Sequence, residues 1–163
     1  MIYDFYIFNR SGTCTFSESY SQEALPKKSD IKKLIFGMIY MLRDLTGKLS
    51  PRGSDNLHVV RTNTFAIHHY QSETGLIFVL VTKANIADLS RKLEWIYKNL
   101  YVENVSRNVL FILDHKKSID NGLFRKKVND YILVDSNTSK LVKNDSSNGS
   151  SNHQQENQLK NKI

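Results

Sequence analysis

The 163-residue chain has one cysteine, two prolines and seven glycines. A single cysteine, Cys14, excludes an intramolecular disulfide, so nothing here demands an oxidising compartment. Long hydrophobic runs are also missing, and no stretch approaches the ~20 apolar residues of a membrane span. The N-terminus, MIYDFYIFNR, places Asp4 early and has neither the basic start nor the apolar stretch of a signal peptide. These absences point to a cytoplasmic chain whose membrane contact, if present, is peripheral.

Catalytic motifs are equally scarce. There is no GxSxG, GxGxxG or CxxC, and the carboxylates are scattered. His68 and His69 are adjacent in a strand pattern, so their rings point to opposite faces and do not share a metal ion. One is expected to be packed and the other solvated. His58, His115 and His153 offer no ligand spacing. Cys14 follows a turn and has no base beside it. The turn itself, Arg10 to Thr13, carries one glycine and no lysine, which excludes a phosphate-binding loop. No catalytic residue, cofactor or metal is expected, and the chain reads as a non-enzyme.

The net charge is +7, distributed in pairs and triplets such as Lys27–Lys28, Lys32–Lys33 and Arg125–Lys126–Lys127. Such a surface suits anionic lipid, an acidic partner or nucleic acid. Base stacking on a sheet needs an exposed sheet face, which this sequence does not provide, so nucleic acid is not expected.

Apolar residues are dense to about Val134 and sparse afterwards. Residues 1–135 are therefore expected to form one domain. Residues 136–163, rich in Asn, Ser and Lys, are expected to be a disordered tail. Residues 2–9 and 13–20 read as a strand hairpin turning at Gly12. A helix follows over 30–49, capped by Ser29 or Asp30, with Pro51 beyond its end. Residues 57–62, 65–71 and 76–82 read as strands, the last two joined by the turn Ser72–Gly75. Further helices are expected at about 86–108 and 119–133, separated by a linker containing residues 114–117.

The order is ββ-α-βββ-αα. Strands 2–8 and 76–82 are apolar on both faces, which places them centrally with helices on both sides. Setting them side by side gives the sheet order 2-1-5-4-3, with strand 13–20 at one edge. At 100° per residue, Ile31, Leu34, Ile35, Met38, Leu42, Leu45 and Leu49 form one stripe of the first helix, enough for a core. Phe36, Ile39 and Tyr40 project away from it. They are expected, with Arg43 and with Thr15 and Ser17 of the edge strand, to form a subunit interface. Trp95 and Val102 lie outside the expected core face of the next helix and suggest a second, lesser contact.

The segments IYDFYIFNRSGTC, KLIFGMIYMLRDLTGKLSP, FAIHHYQSETGLIFVLVT, IYKNLYVENVSRN and GLFRKKVNDYI together carry a family likeness. In this order the chain resembles the small subunits of the TRAPP (transport protein particle) complexes, the sybindin/sedlin group. The resemblance spans the ordered region, with the weakest match over 109–121. It implies a longin-like (SNARE-like) α/β fold, an antiparallel five-stranded sheet with helices on both faces. It implies a role in tethering vesicles between endoplasmic reticulum and Golgi. The expected partners are other TRAPP subunits, including a second longin-like subunit joined through the first helix and edge strand. Through the assembly, a Rab-family GTPase would be a further partner, its GDP release promoted by the complex. Peripheral membrane contact through Lys27, Lys28, Lys32 and Lys33 is compatible with this role. The competing reading is a longin-domain regulator of SNARE-mediated fusion, which calls for a C-terminal heptad segment that the tail lacks.

Overall fold

A computed structural model describes residues 1–21, 29–50, 57–108 and 118–145, without the side chains of Ser29 and of residues 135–145. The expected basic pair Lys27–Lys28, Pro51, the linker 114–117 and residues 146–163 of the expected tail lie outside the described residues. The chain divides into two compact units, Met1–Lys127 and Val128–Ile163.

Five strands form the sheet: β1 (Ile2–Phe8), β2 (Cys14–Ser19), β3 (Val59–Arg61), β4 (Phe65–Gln71) and β5 (Ile77–Lys83). Their order is β2-β1-β5-β4-β3, antiparallel throughout, as the composition of the strands predicts. The first turn is built by Asn9. Its side-chain Oδ1 accepts the Ser11 and Thr13 amides at 3.1 and 2.8 Å. Gly12 sits at φ +81°, a conformation that side chains disfavour. Gly75 at φ +84° closes the β4–β5 turn, donating its amide to the Ser72 carbonyl at 2.9 Å.

One face of the sheet is covered by α1 (Ser29–Leu49). Ile35 and Ile39 of this helix meet Tyr6, Phe8, Ile67, Ile77, Val79 and Val81 of the sheet. The opposite face carries an aromatic layer: Tyr97 and Tyr101 meet Phe78 edge-on at 5.7 and 5.6 Å, and Phe16 meets Phe124 at 5.2 Å. Such edge-to-face pairs add about 0.5–1.5 kcal/mol each beyond their burial.

That aromatic layer hangs on an unusual helix. α2 (Ser90–Trp95) passes directly into a π-helix, Ile96–Ser106. The Arg107 amide closes it onto the Val102 carbonyl, five residues back, at 3.1 Å. The side-chain amides of Asn99 and Asn104 donate from Nδ2 to the backbone carbonyls of Trp95 and Leu100 at 3.0 and 2.7 Å. Ile96 and Val105 are both fully buried. At 3.6 residues per turn they would fall on opposite faces, so π-winding is what brings both to the core.

The last helix, α3, runs Gly122–Asp145, beyond the end near 133 read from the sequence and through residues 136–145 of the segment expected to be a disordered tail. Asn121 starts it, its Oδ1 accepting the Leu123 and Phe124 amides at 3.0 and 3.1 Å. In the second unit Val128 and Ile132 are buried, while Leu133 and Val134 are exposed.

The histidine pair departs from expectation, because both rings are buried. β4 is covered on both faces at this level. His69 Nδ1–H donates to the Leu57 carbonyl at 2.8 Å, and its Nε2 is buried without a hydrogen-bond partner. Burial above all, helped by the nearby Arg43 guanidinium, holds the pKa of His69 below its usual value.

Candidate functional site

The outward face of α1 is the most apolar exposed surface among the described residues. Of ten exposed large hydrophobic side chains, five lie on this helix: Leu34 (67% exposed), Tyr40 (55%), Met41 (73%), Leu45 (50%) and Leu49 (73%). Leu34, Met41 and Leu45 fall within about 40° of arc at 3.6 residues per turn. Single exposed apolar groups are ordinary on a protein surface; a row of them on one helix marks an interaction site.

This geometry corrects the sequence reading. Ile39 is 1% exposed and belongs to the core, so it cannot serve as an interface residue. Leu34, Leu45 and Leu49, assigned to the core stripe, are exposed instead. α1 is rotated relative to the expected orientation because it is apolar over most of its circumference. Periodicity then fixes the period but not which arc meets the sheet. The buried row is Ile31, Ile35 and Ile39 together with Leu42, of which Ile35 and Ile39 are fully enclosed. Met41 was missed altogether. A usable signal existed: the isoleucines recur every four residues, whereas Leu and Met make up the exposed row.

Phe36, Tyr40 and Arg43 do form one continuous ladder. Phe36 packs on Phe8 at 5.6 Å and lies over Gly12, where a Cβ would meet its ring at 2.6 Å. Tyr40 stacks on Phe36 at 6.3 Å, and the Arg43 guanidinium lies 5.5 Å from the Tyr40 ring centre. Arg43 also donates to Gln71 Oε1 of β4. Phe36 is thus a half-buried base, and Tyr40 with Arg43 forms the accessible tip.

The edge strand β2 is partly occupied by the chain itself. The Ile119 amide donates to the Thr15 carbonyl at 2.7 Å, and Thr15 Oγ1 donates to the Ile7 carbonyl at 3.2 Å. Lys32 of α1 donates to Ser17 Oγ at 2.9 Å, tying helix and edge together. Arg125 pairs with Glu18 and lies 5.0 Å over the Phe16 ring. An unprotected edge invites strand addition, and here one end of β2 is already closed.

Trp95 is 41% exposed at the end of α2, and Val102 is half-buried. Their shared α-helical stripe does not exist, because the π-helix begins between them. No helix of the described residues is long and apolar enough to cross a membrane.

A single five-stranded antiparallel sheet with helices on both faces defines an α/β fold of the longin-like class. The chain belongs to the Sybindin-like family, whose pattern it matches over residues 2–135. It is similar to trafficking protein particle complex subunit 1 of Dictyostelium discoideum, with 31% identity over 81% of this chain and 94% of that protein. The human protein of the same name is 30% identical over 80% of this chain and 91% of its own length. Subunit BET5 of that complex in Saccharomyces cerevisiae is 33% identical over 67% of this chain and 74% of its own.

Proposed function

We propose that the chain is a non-catalytic subunit of a trafficking protein particle complex, with residues 1–135 as its longin-like domain. In this reading it docks on a second longin-like subunit through the outer face of α1, using Leu34, Met41, Leu45, Leu49, Tyr40 and Arg43, supported by Thr15 and Ser17 of β2. The observation that carries the reading is the row of exposed Leu and Met on a helix whose other side is already buried. Full burial of a Leu or Met side chain contributes up to about 1.5–3 kcal/mol, so this row is the part of the surface that gains most from being covered. Trp95 and Val102 make separate, smaller contacts.

The assembled complex acts in transport between endoplasmic reticulum and Golgi, in the cytoplasm and peripherally at those membranes. It contributes to a platform that promotes nucleotide exchange on a Rab-family GTPase. GDP release follows when the platform binds the nucleotide-free conformer more tightly than the loaded one. Exchange is a property of the assembly, and the isolated chain has none.

The test is co-purification of the tagged chain with its stoichiometric partners. The double substitution Met41→Asp with Leu45→Asp should leave the urea midpoint of the chain unchanged and abolish recovery of a longin-like partner. Undiminished recovery would remove α1 from the interface.

A further inference from the structure

His68 lies on the sheet face opposite α1, fully buried, and every hydrogen bond it makes fixes its protonation state. The Leu89 amide donates to Nδ1 at 3.1 Å, so Nδ1 carries no proton. The proton is on Nε2, which donates to Thr82 Oγ1 at 2.9 Å. The Thr82 hydroxyl in turn donates a hydrogen bond to the Lys83 carbonyl at 3.1 Å. One neutral tautomer thus joins β4, β5 and the chain entering α2.

A second acceptor stands beside it. Asp88 Oδ1 is 3.8 Å from Nδ1, outside hydrogen-bond reach. That carboxylate is occupied with the first turn of α2, where Oδ1 accepts the Ser90 amide at 2.8 Å and Oδ2 accepts the Ser90 hydroxyl at 2.9 Å. We propose that His68 is a proton-operated latch on the start of α2. Neutral, it holds the Leu89 amide; protonated, it turns its new Nδ1–H to Asp88 and draws that carboxylate away from Ser90.

The physical logic is one of donors and acceptors. A protonated imidazole is a donor at both nitrogens. The Leu89 amide would then face another donor, and that bond must break. Among the described residues, Asp88 favours the charged form of His68, Arg61 of β3 opposes it, and His58 acts on Asp88 from beyond. Burial outweighs the help of Asp88 and keeps the ring neutral at physiological pH. Asp88 and Ser90 also line a cleft of about 380 Å³ with His58, Tyr70, Arg91 and Glu94. Throwing the latch therefore reshapes one wall of that cleft.

The test is a nitrogen-15 NMR titration of the full chain between about pH 5 and 8, the range in which histidine switches. At neutral pH His68 should show the Nε2–H tautomer. Its midpoint should lie below the ordinary 6.5, and the Leu89 and Ser90 amide shifts should follow that same midpoint. Asp88→Asn, which keeps an oxygen for Ser90, should lower the midpoint further. An Nδ1–H tautomer at neutral pH, a Leu89 amide unmoved through the His68 transition, or a midpoint unchanged in Asp88→Asn would each overturn the latch.

Discussion

Gly12→Ala is expected to destabilise the chain through two separable costs. The first is backbone strain. At φ +81° an added Cβ crowds its own carbonyl, which costs about 1–2 kcal/mol. The second is overlap with Phe36. The new methyl would stand 2.6 Å from Phe36 Cε1 and 2.9 Å from Cδ1. The ring has little room to retreat, being held between Phe8 and Tyr40. Overpacking of this kind costs about 1–3 kcal/mol, so the two together come to about 2–5 kcal/mol. A double-mutant cycle separates them. With Phe36→Ala the overlap disappears and only the strain remains, so the two substitutions should couple by about 1–3 kcal/mol. Urea denaturation of the four proteins gives the cycle, provided the m-values agree. Additivity within about 0.5 kcal/mol would show that Phe36 does not lie on Gly12, and the ladder from Phe8 to Arg43 would lose its base.

Other substitutions and conditions test separate parts of the fold. Ile39→Ala should cost about 2–5 kcal/mol in urea, whereas Met41→Ala, on a residue that is largely exposed, should stay within about 0.5 kcal/mol. Asn104→Ala removes the bonds to Leu100 and Lys127, and at about 0.5–1.5 kcal/mol each should lower the thermal midpoint while far-ultraviolet ellipticity is retained. His68 and His69 both have folded pKa values below 6.5. The unfolded chain therefore binds more protons as pH falls through 6.5, and urea midpoints should drop on that side. Tyr101 is shifted the other way, by burial first, from 10.0 to about 12. The unfolded chain loses that proton first, so stability present below pH 10 should decline as pH rises towards 12.

Much of this architecture was legible in the residues. The sheet order followed from asking which strands are apolar on both faces, and β1 and β5 are indeed buried along almost their whole length. Gly12 and Gly75 announced their turns because few other residues accept positive φ. The orientation of α1 was not legible. With Leu34, Ile35, Phe36, Met38, Ile39, Tyr40 and Met41 nearly consecutive, the polar arc of Asp30, Lys33, Asp44 and Lys48 is too narrow to say which part of the wide apolar arc meets the sheet, and packing against Phe8 and Val79 decides it. Ile39 consequently moved into the core and Leu45 out of it. The π-helix was not legible either, because an α-helical count puts Ile96 and Leu100 on the buried face and gives no hint of Val105. Asn99 and Asn104, each bonded to a carbonyl four residues back, are the mark it leaves in the sequence. Burial of both histidines was missed because alternation assigns side chains to faces without saying whether each face is covered.

The π-helix makes chain length itself a structural variable between Trp95 and Arg107. Removing one residue there would let the backbone tighten to ordinary winding and would turn everything downstream by about 100°. Tyr101 would then swing off Phe78, and Asn104 would lose its reach to Asn121, whose amide it now holds at 2.8 Å. The gain or loss of a single codon in this stretch should therefore cost more than exchange of a solvent-facing side chain.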